Sequence, residues 1–125
     1  MAEYIAVEGC EFEIPEDTAG LGQVTLITQP QEYLKVCNKK PYAGPLQFTL
    51  SGITTSAITN GDGMTTAPAV LSPGAQYTKL NGLYAVLEGD EIQNVPITGH
   101  SGESTVPDTV TVRIKKAGQE YVKVT

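Results

Sequence analysis

Thr109-Val110-Thr111-Val112-Arg113-Ile114 alternates polar with branched apolar side chains, so an extended chain here has one apolar face and one wet face. Lys115-Lys116-Ala117-Gly118 follows as a turn in which Gly118 is free to take positive φ, and Glu120-Tyr121-Val122-Lys123-Val124 returns with the same alternation. The stretch predicts a β-hairpin. Its returning strand has two relatives in the chain. Tyr33-Leu34-Lys35-Val36, Tyr77-Thr78-Lys79-Leu80 and Tyr121-Val122-Lys123-Val124 follow one another at intervals of 44 residues. Leu26, Val70 and Ile114 keep the same phase, each seven residues before its Tyr, with turn formers Gln29-Pro30, Pro73-Gly74 and Ala117-Gly118 between.

An upstream strand repeats with looser spacing. Ile5-Ala6-Val7-Glu8-Gly9, Phe48-Thr49-Leu50-Ser51-Gly52 and Val95-Pro96-Ile97-Thr98-Gly99 share apolar-x-apolar-x-Gly. Three units then run approximately over 4–36, 47–80 and 94–124, with 37–46 and 81–93 outside them as extra hairpin segments. Asn81-Gly82 marks a two-residue hairpin turn, and 51–68 and 99–108 read as long loops. Units this small cannot each bury a core, so they must pack on one another. The expectation is a single all-β domain, 1–125: a compact cone or prism of short antiparallel strands with pseudo-threefold internal repeats. An ordinary β-sandwich with coincidental repeats is the alternative.

Composition agrees and excludes other classes. Thirteen Gly, eight Pro and fifteen Thr in 125 residues leave no stretch long enough for an ordinary helix. A formal charge of −6, with Arg113 the one arginine, repels a phosphate backbone and argues against nucleic acid. No stretch has the apolar length of a membrane span. Met1-Ala2-Glu3 opens acidic where a signal peptide opens basic, so the chain is expected to be made in the cytoplasm without a signal peptide. A reducing compartment argues against a bond between Cys10 and Cys37.

The stretch Ser72-Pro73-Gly74, then Lys79-Leu80-Asn81-Gly82-Leu83-Tyr84-Ala85-Val86-Leu87-Glu88-Gly89-Asp90, resembles the repeat of the PAAR proteins. These are the conical tips of contractile injection machines: type VI secretion systems, extracellular injection particles and contractile phage tails. Asn81, Gly82, Ala85, Gly89 and Asp90 fall on the family pattern, whereas Tyr84-Ala85-Val86-Leu87 replaces its eponymous tetrapeptide. Val36-Cys37-Asn38-Lys39-Lys40-Pro41 is a weaker copy through Asn38, Lys40 and Pro41. The resemblance implies a structural, non-enzymatic spike tip. Such a tip is a monomer when isolated and seats as one copy on a homotrimeric β-helical spike, sometimes with an effector or cargo. It would belong to an injection particle or phage tail and be delivered outward on contraction. A small β-sandwich decoration or adhesion module of a phage or cell-surface assembly is the competing reading.

Usual PAAR proteins hold zinc near the vertex with three His and one Cys, and this chain has a single His, so no cofactor is expected. The weak metal candidates are Cys10 and His100, joined by Cys37 or a carboxylate, which falls short of a closed tetrahedral shell. Cys10, Ile53 and His100 each follow the Gly that ends an upstream strand, so they are candidates to meet at the vertex, where Ile53 and its neighbours would make an apolar tip. The in-phase pairs Tyr33 and Lys35, Tyr77 and Lys79, Tyr121 and Lys123 are candidates for a threefold interface with the spike. The bland alternative is that the lysines guard strand edges against aggregation. No catalytic residues are expected. His100, Ser101 and Asp108 have the residue types of a triad without its surrounding motif. Glu8, Glu11, Glu13, Glu16 and Asp17 read as a solvated acidic face, and Asn60-Gly61-Asp62-Gly63 as a turn.

Overall fold

A computed structural model describes residues 2–125 and contains, among them, ten strands and no helix. In chain order these are β1 (Glu3–Tyr4), β2 (Glu11–Glu13), β3 (Gln23–Leu26), β4 (Leu46–Ser51), β5 (Ala69–Leu71), β6 (Lys79–Leu80), β7 (Leu83–Tyr84), β8 (Glu91–Ser101), β9 (Ser104–Lys116) and β10 (Lys123–Val124). All pairings are antiparallel: β1 with β10, β2 with β9 and β9 with β8, β3 with β4 and β4 with β5, and β6 with β7. The protein is an all-β domain.

The centre of the fold is a triangle of three extended segments, 4–8, 40–44 and 84–88. Ala6 N–H donates to Val86 O at 2.8 Å, Val86 N–H to Tyr42 O at 3.2 Å, and Tyr42 N–H to Ala6 O at 2.9 Å. An outer set repeats the cycle: Glu88 to Tyr4 O, Gly44 to Tyr84 O and Glu8 to Lys40 O, each at 2.8 Å. Six backbone hydrogen bonds thus close on themselves with threefold equivalence. Within the triangle each segment finds its partners in the other two, while its alternate backbone groups bond outward, as Ile5 N–H does to Val122 O, Val7 N–H to Ala117 O and Ala85 N–H to Thr78 O.

Side-chain alternation then divides the interior in two. Ala6, Tyr42 and Val86 point to a large core with Leu46, Phe48, Leu50, Ile53, Ile58, Leu71 and the inward residues of β8 and β9. Ile5, Val7, Ala43, Ala85 and Leu87 point the other way, into a smaller core closed by Val36, Ala75 and Leu80. We call the two sides the body and the cap. Because both faces of the triangle are buried, the middle of each side, 5–7, 41–43 and 85–87, is a short apolar run with no alternation.

Cap hairpins follow from their turns. Asn81 and Gly82 have φ of 52° and 84°, and Cys37 and Asn38 have φ of 52° and 65°, so both turns hold two successive residues in the left-handed region. They join Leu80 to Leu83 and Val36 to Lys39. The third position is filled by β1 and β10, where Tyr4 pairs with Lys123 as Tyr84 pairs with Lys79.

Four sequence expectations change. The hairpin 109–124 does not form: β9 is flanked by β8 and β2, and β10 crosses to β1. Both edges of 109–114 are taken by longer or better-buried partners. Residues 99–108 are not a loop but the end of the β8–β9 hairpin, turning at Gly102-Glu103 with Ser101 opposite Ser104. Their polar side chains alternate on an exposed ribbon, which hides the strand period from a search for buried faces. The units 4–36, 47–80 and 94–124 shift, because 37–46 and 81–93 hold two sides of the triangle. Finally, Phe48–Gly52 and Val95–Gly99 lie in and beside the body strands β4 and β8, so they are not counterparts of Ile5–Gly9. Beyond Ser51, which ends β4, the stretch to 68 is irregular, as expected, apart from bridges of Ile53 to Gly63 and Met64 to Thr98.

Candidate functional site

The cap presents the interface candidates at matched places. Val36 and Leu80 are buried and Val124 is half-buried against the same core, which turns the Tyr three residues earlier outward in each case. Tyr33, Tyr77 and Tyr121 are 94%, 79% and 86% exposed. An aromatic body left this open is costly in water, and here it recurs at three equivalent positions. Lys35, Lys79 and Lys123 are also exposed. Two of them have a local partner: the Lys79 ammonium lies 4.8 Å from the Tyr84 ring centroid and that of Lys123 lies 4.7 Å from Tyr4. By the same register the third hairpin places Lys40 where the others have Tyr84 and Tyr4, so the lysine pattern is threefold in backbone and twofold in chemistry.

Gln119 ties this face together. Its buried amide donates to Ile5 O at 3.0 Å and Val122 O at 2.8 Å, while its Oε1 accepts from Tyr121 N–H and Val122 N–H at 2.8 Å. The same oxygen accepts the Cys37 thiol at 3.5 Å. Sequence reading missed Gln119, since a lone Gln in a turn carries no pattern.

The vertex candidates do not converge. Cys10 sits one residue beyond the Gly that ends the first side of the triangle, packed against the body core, and burial pushes its thiol up to about 11. Its counterpart in the fold is Asp90, which follows Gly89 in the same way. Ile53 is buried in the body core. His100 lies ten residues beyond Asp90 near the far end of β8, roughly 30 Å along an extended strand. Cys37 is exposed in a cap turn, and both cysteines are free. Among the described residues no three His, Cys, Asp or Glu side chains gather as a metal shell would require.

At the far end of the body, Asn60-Gly61-Asp62-Gly63 works as a clamp. Asn60 accepts the Gly102 N–H at 3.0 Å and donates to Gly102 O at 2.8 Å. Asp62 accepts the His100 N–H at 2.8 Å and meets its Nδ1 at 2.6 Å, which holds the Asp62 carboxyl below the usual carboxylate range. Thr59 and Ser101 share a hydroxyl contact of 2.8 Å, and Thr55 donates to Asp108 at 2.6 Å. Asp108 therefore serves Thr55, and His100, Ser101 and Asp108 form no relay.

The acidic run is largely exposed, with Glu8, Glu11 and Glu16 open to solvent as expected, and four of its five carboxylates also hold the chain together. Glu8 accepts the Lys40 N–H at 3.2 Å, Glu13 pairs with Arg113 at 2.6 Å, and Glu16 takes the Thr111 N–H and hydroxyl at 2.8 and 3.0 Å. Asp17 takes the Gly22 and Thr54 N–H groups at 2.7 and 3.2 Å. Asp90 accepts Gly74 and Leu87 N–H groups, both at 2.8 Å, yet burial pushes its carboxyl up. Comparison with known proteins gives no match: no family model, no curated protein and no solved structure is similar to this chain.

Proposed function

We propose that this chain is a PAAR-like spike-tip protein: a structural, non-enzymatic cap seated through its cap face on the end of a homotrimeric β-helical spike, one copy per trimer. The observation that carries the reading is the closed triangle of 4–8, 40–44 and 84–88, which gives one chain three equivalent directions. A single subunit with that backbone can meet three identical surfaces at once without a symmetry mismatch. Tyr33, Tyr77 and Tyr121 stand outward at equivalent positions, and exposed tyrosines of this kind are frequent binding anchors. The residues that fall on the PAAR pattern hold defined places in this fold, which supports the reading. Asn81 and Gly82 make the cap turn, Ala85 lies in the triangle, and Gly89 and Asp90 lead into β8. In this reading the protein carries no metal, is a monomer by itself, is made in the cytoplasm and leaves with the injection particle or phage tail.

The test is capture by a homotrimeric spike from a contractile injection system, followed by measurement of mass. The expected complex holds one copy of this chain per trimer. Replacing Tyr33, Tyr77 and Tyr121 together by Ala should weaken capture at least about a hundredfold, since such anchors contribute upward of ~1 kcal/mol each. Changing Lys35, Lys79 and Lys123 to Glu tests the charged part of the same face. Several copies per trimer, or undiminished capture by the tyrosine variant, would sink the reading in favour of a decoration module.

A further inference from the structure

Each side of the triangle leads into an outgoing body strand, β2, β4 or β8, and each of these has a returning partner, β3, β5 or β9. The outgoing and returning strands are laddered in two repeats, β4 with β5 and β8 with β9. They are not laddered in the first, where β2 and β3 stand apart. The other break in the circuit, between β5 and β8, is filled by the chain itself: Met64 and Thr98 exchange two backbone hydrogen bonds at 3.0 and 2.9 Å. Nothing from the described residues fills the first break in that way. A cleft of about 420 Å³ remains there, lined by Phe12, Ile14 and Val24 and rimmed by Glu13, Asp17 and Lys115.

Two walls of this cleft are strand edges, and the connection through Asp17, Gly20 and Gly22 closes one end. Ile27 N–H donates to Gln47 O at 2.8 Å, which fixes the phase of the β3–β4 ladder and sends the N–H and C=O of Val24 and Leu26 away from β4, on the edge where Val24 lines the cleft. On the other wall, Ile114 gives its N–H to Asp90 O and its C=O to Gly89 N–H, each at 2.9 Å. Opposite it, Phe12 is therefore in a non-hydrogen-bonded pair, and its N–H and C=O also face the cleft. Two open edges with an apolar floor between them are the requirements for strand addition.

We propose that this cleft is a β-augmentation site, in which an extended segment of a partner protein enters as a strand between β2 and β3 and completes the circuit of the body. Its inward side chains are aliphatic, to meet Phe12, Ile14 and Val24. Its outward ones are basic, because the rim carries Glu13 and Asp17 against Lys115, on a chain of net charge −6. The site is independent of the cap face and of the spike reading.

The probe is an acetylated, amidated peptide alternating Lys and Val over six residues, with a second version N-methylated on alternate amides. The first should bind and protect the Phe12, Val24 and Leu26 amides from hydrogen exchange. The methylated peptide keeps the charge and side chains but loses the donors that face one of the two edges, so it should bind about tenfold or more weakly. Val24→Pro, which removes a cleft-facing N–H without touching the β3–β4 ladder, should weaken the unmethylated peptide similarly. Equal binding of the two peptides, or no binding of either, overturns the proposal. So does protection of the same three amides that rises with protein concentration alone, which would assign the edges to a second copy of the chain.

Discussion

The cap and the body are built around one triangle, yet they obey different rules. The cap core is small and even-handed: Val36, Leu80 and Val124 enter from three hairpin positions onto Ile5, Val7, Ala43, Ala85 and Leu87. The body core is large and lopsided. Its fully buried members come mainly from β4, β8 and β9, while the first repeat offers the partly buried Cys10, Phe12, Ile14, Val24 and Leu26. Threefold equivalence survives where a closed cycle of backbone hydrogen bonds demands it. Beyond that cycle, loops of unequal length let the repeats diverge.

Deleting the centre of the body should have the largest effect. Phe48→Ala removes a fully buried ring and should cost about 3–5 kcal/mol in equilibrium denaturation. If the amides of the cap hairpins stay protected while the body melts, the two cores are separate cooperative units; simultaneous loss makes them one. Gly99→Ala comes next. A Cβ there would meet Ile58 Cγ2 at 2.4 Å and the Gly63 Cα at 3.0 Å, so overpacking of about 1–3 kcal/mol is expected, confined to the far end of the body. On the cap side, Asn81→Val forces a β-branched residue to a φ of 52° and should cost about 1–2 kcal/mol. Its exchange effects should stay around β6 and β7.

Titration gives opposite signs at the two ends of β8. Asp62, held low by His100, contributes stability that is full above its unfolded value and is lost as pH falls through its lowered folded value. Asp62→Asn should flatten that acid limb at the far clamp. Asp90, raised by burial beside the triangle, acts the other way: its contribution is present at low pH and lost as pH rises through the raised value. Asp90→Asn should therefore remove a loss of stability that sets in as pH rises from the ordinary carboxylate value through the raised one, read from denaturation midpoints. Like behaviour of the two variants would erase the distinction. The smallest effect is expected from Lys79→Gln, which removes one cation–π contact at the surface worth about 0.5–1 kcal/mol.

Parts of this architecture were plain in the residues. Asn81-Gly82 specified its turn, and the 44-residue phase of Tyr33, Tyr77 and Tyr121 located three positions that the fold makes equivalent. The triangle itself was also written there, in a register the fixed period conceals. Tyr4-Ile5-Ala6-Val7-Glu8-Gly9 and Tyr84-Ala85-Val86-Leu87-Glu88-Gly89 are close copies 80 residues apart. Between them, Lys40-Pro41-Tyr42-Ala43-Gly44 shares little with either, and its Tyr42 stands 36 residues after Ala6 but 44 before Val86. A single period cannot find a repeat whose loops differ in length. The clamp of Asn60 and Asp62 on β8 gave no signal, because a polar turn and a polar clamp have the same composition.

Alternation of side chains determined that the chain is β, which residues face inward, and where hairpins can turn, since those depend on local sterics and on burial of one face. It did not determine which strand pairs with which. Main-chain N–H and C=O groups are the same at every residue, so an edge such as that of 109–114 accepts any partner of suitable length. Only the folded molecule decided that β10 crosses to β1, that the triangle closes, and that β2 and β3 keep open edges. Those choices were made by burying two cores at once.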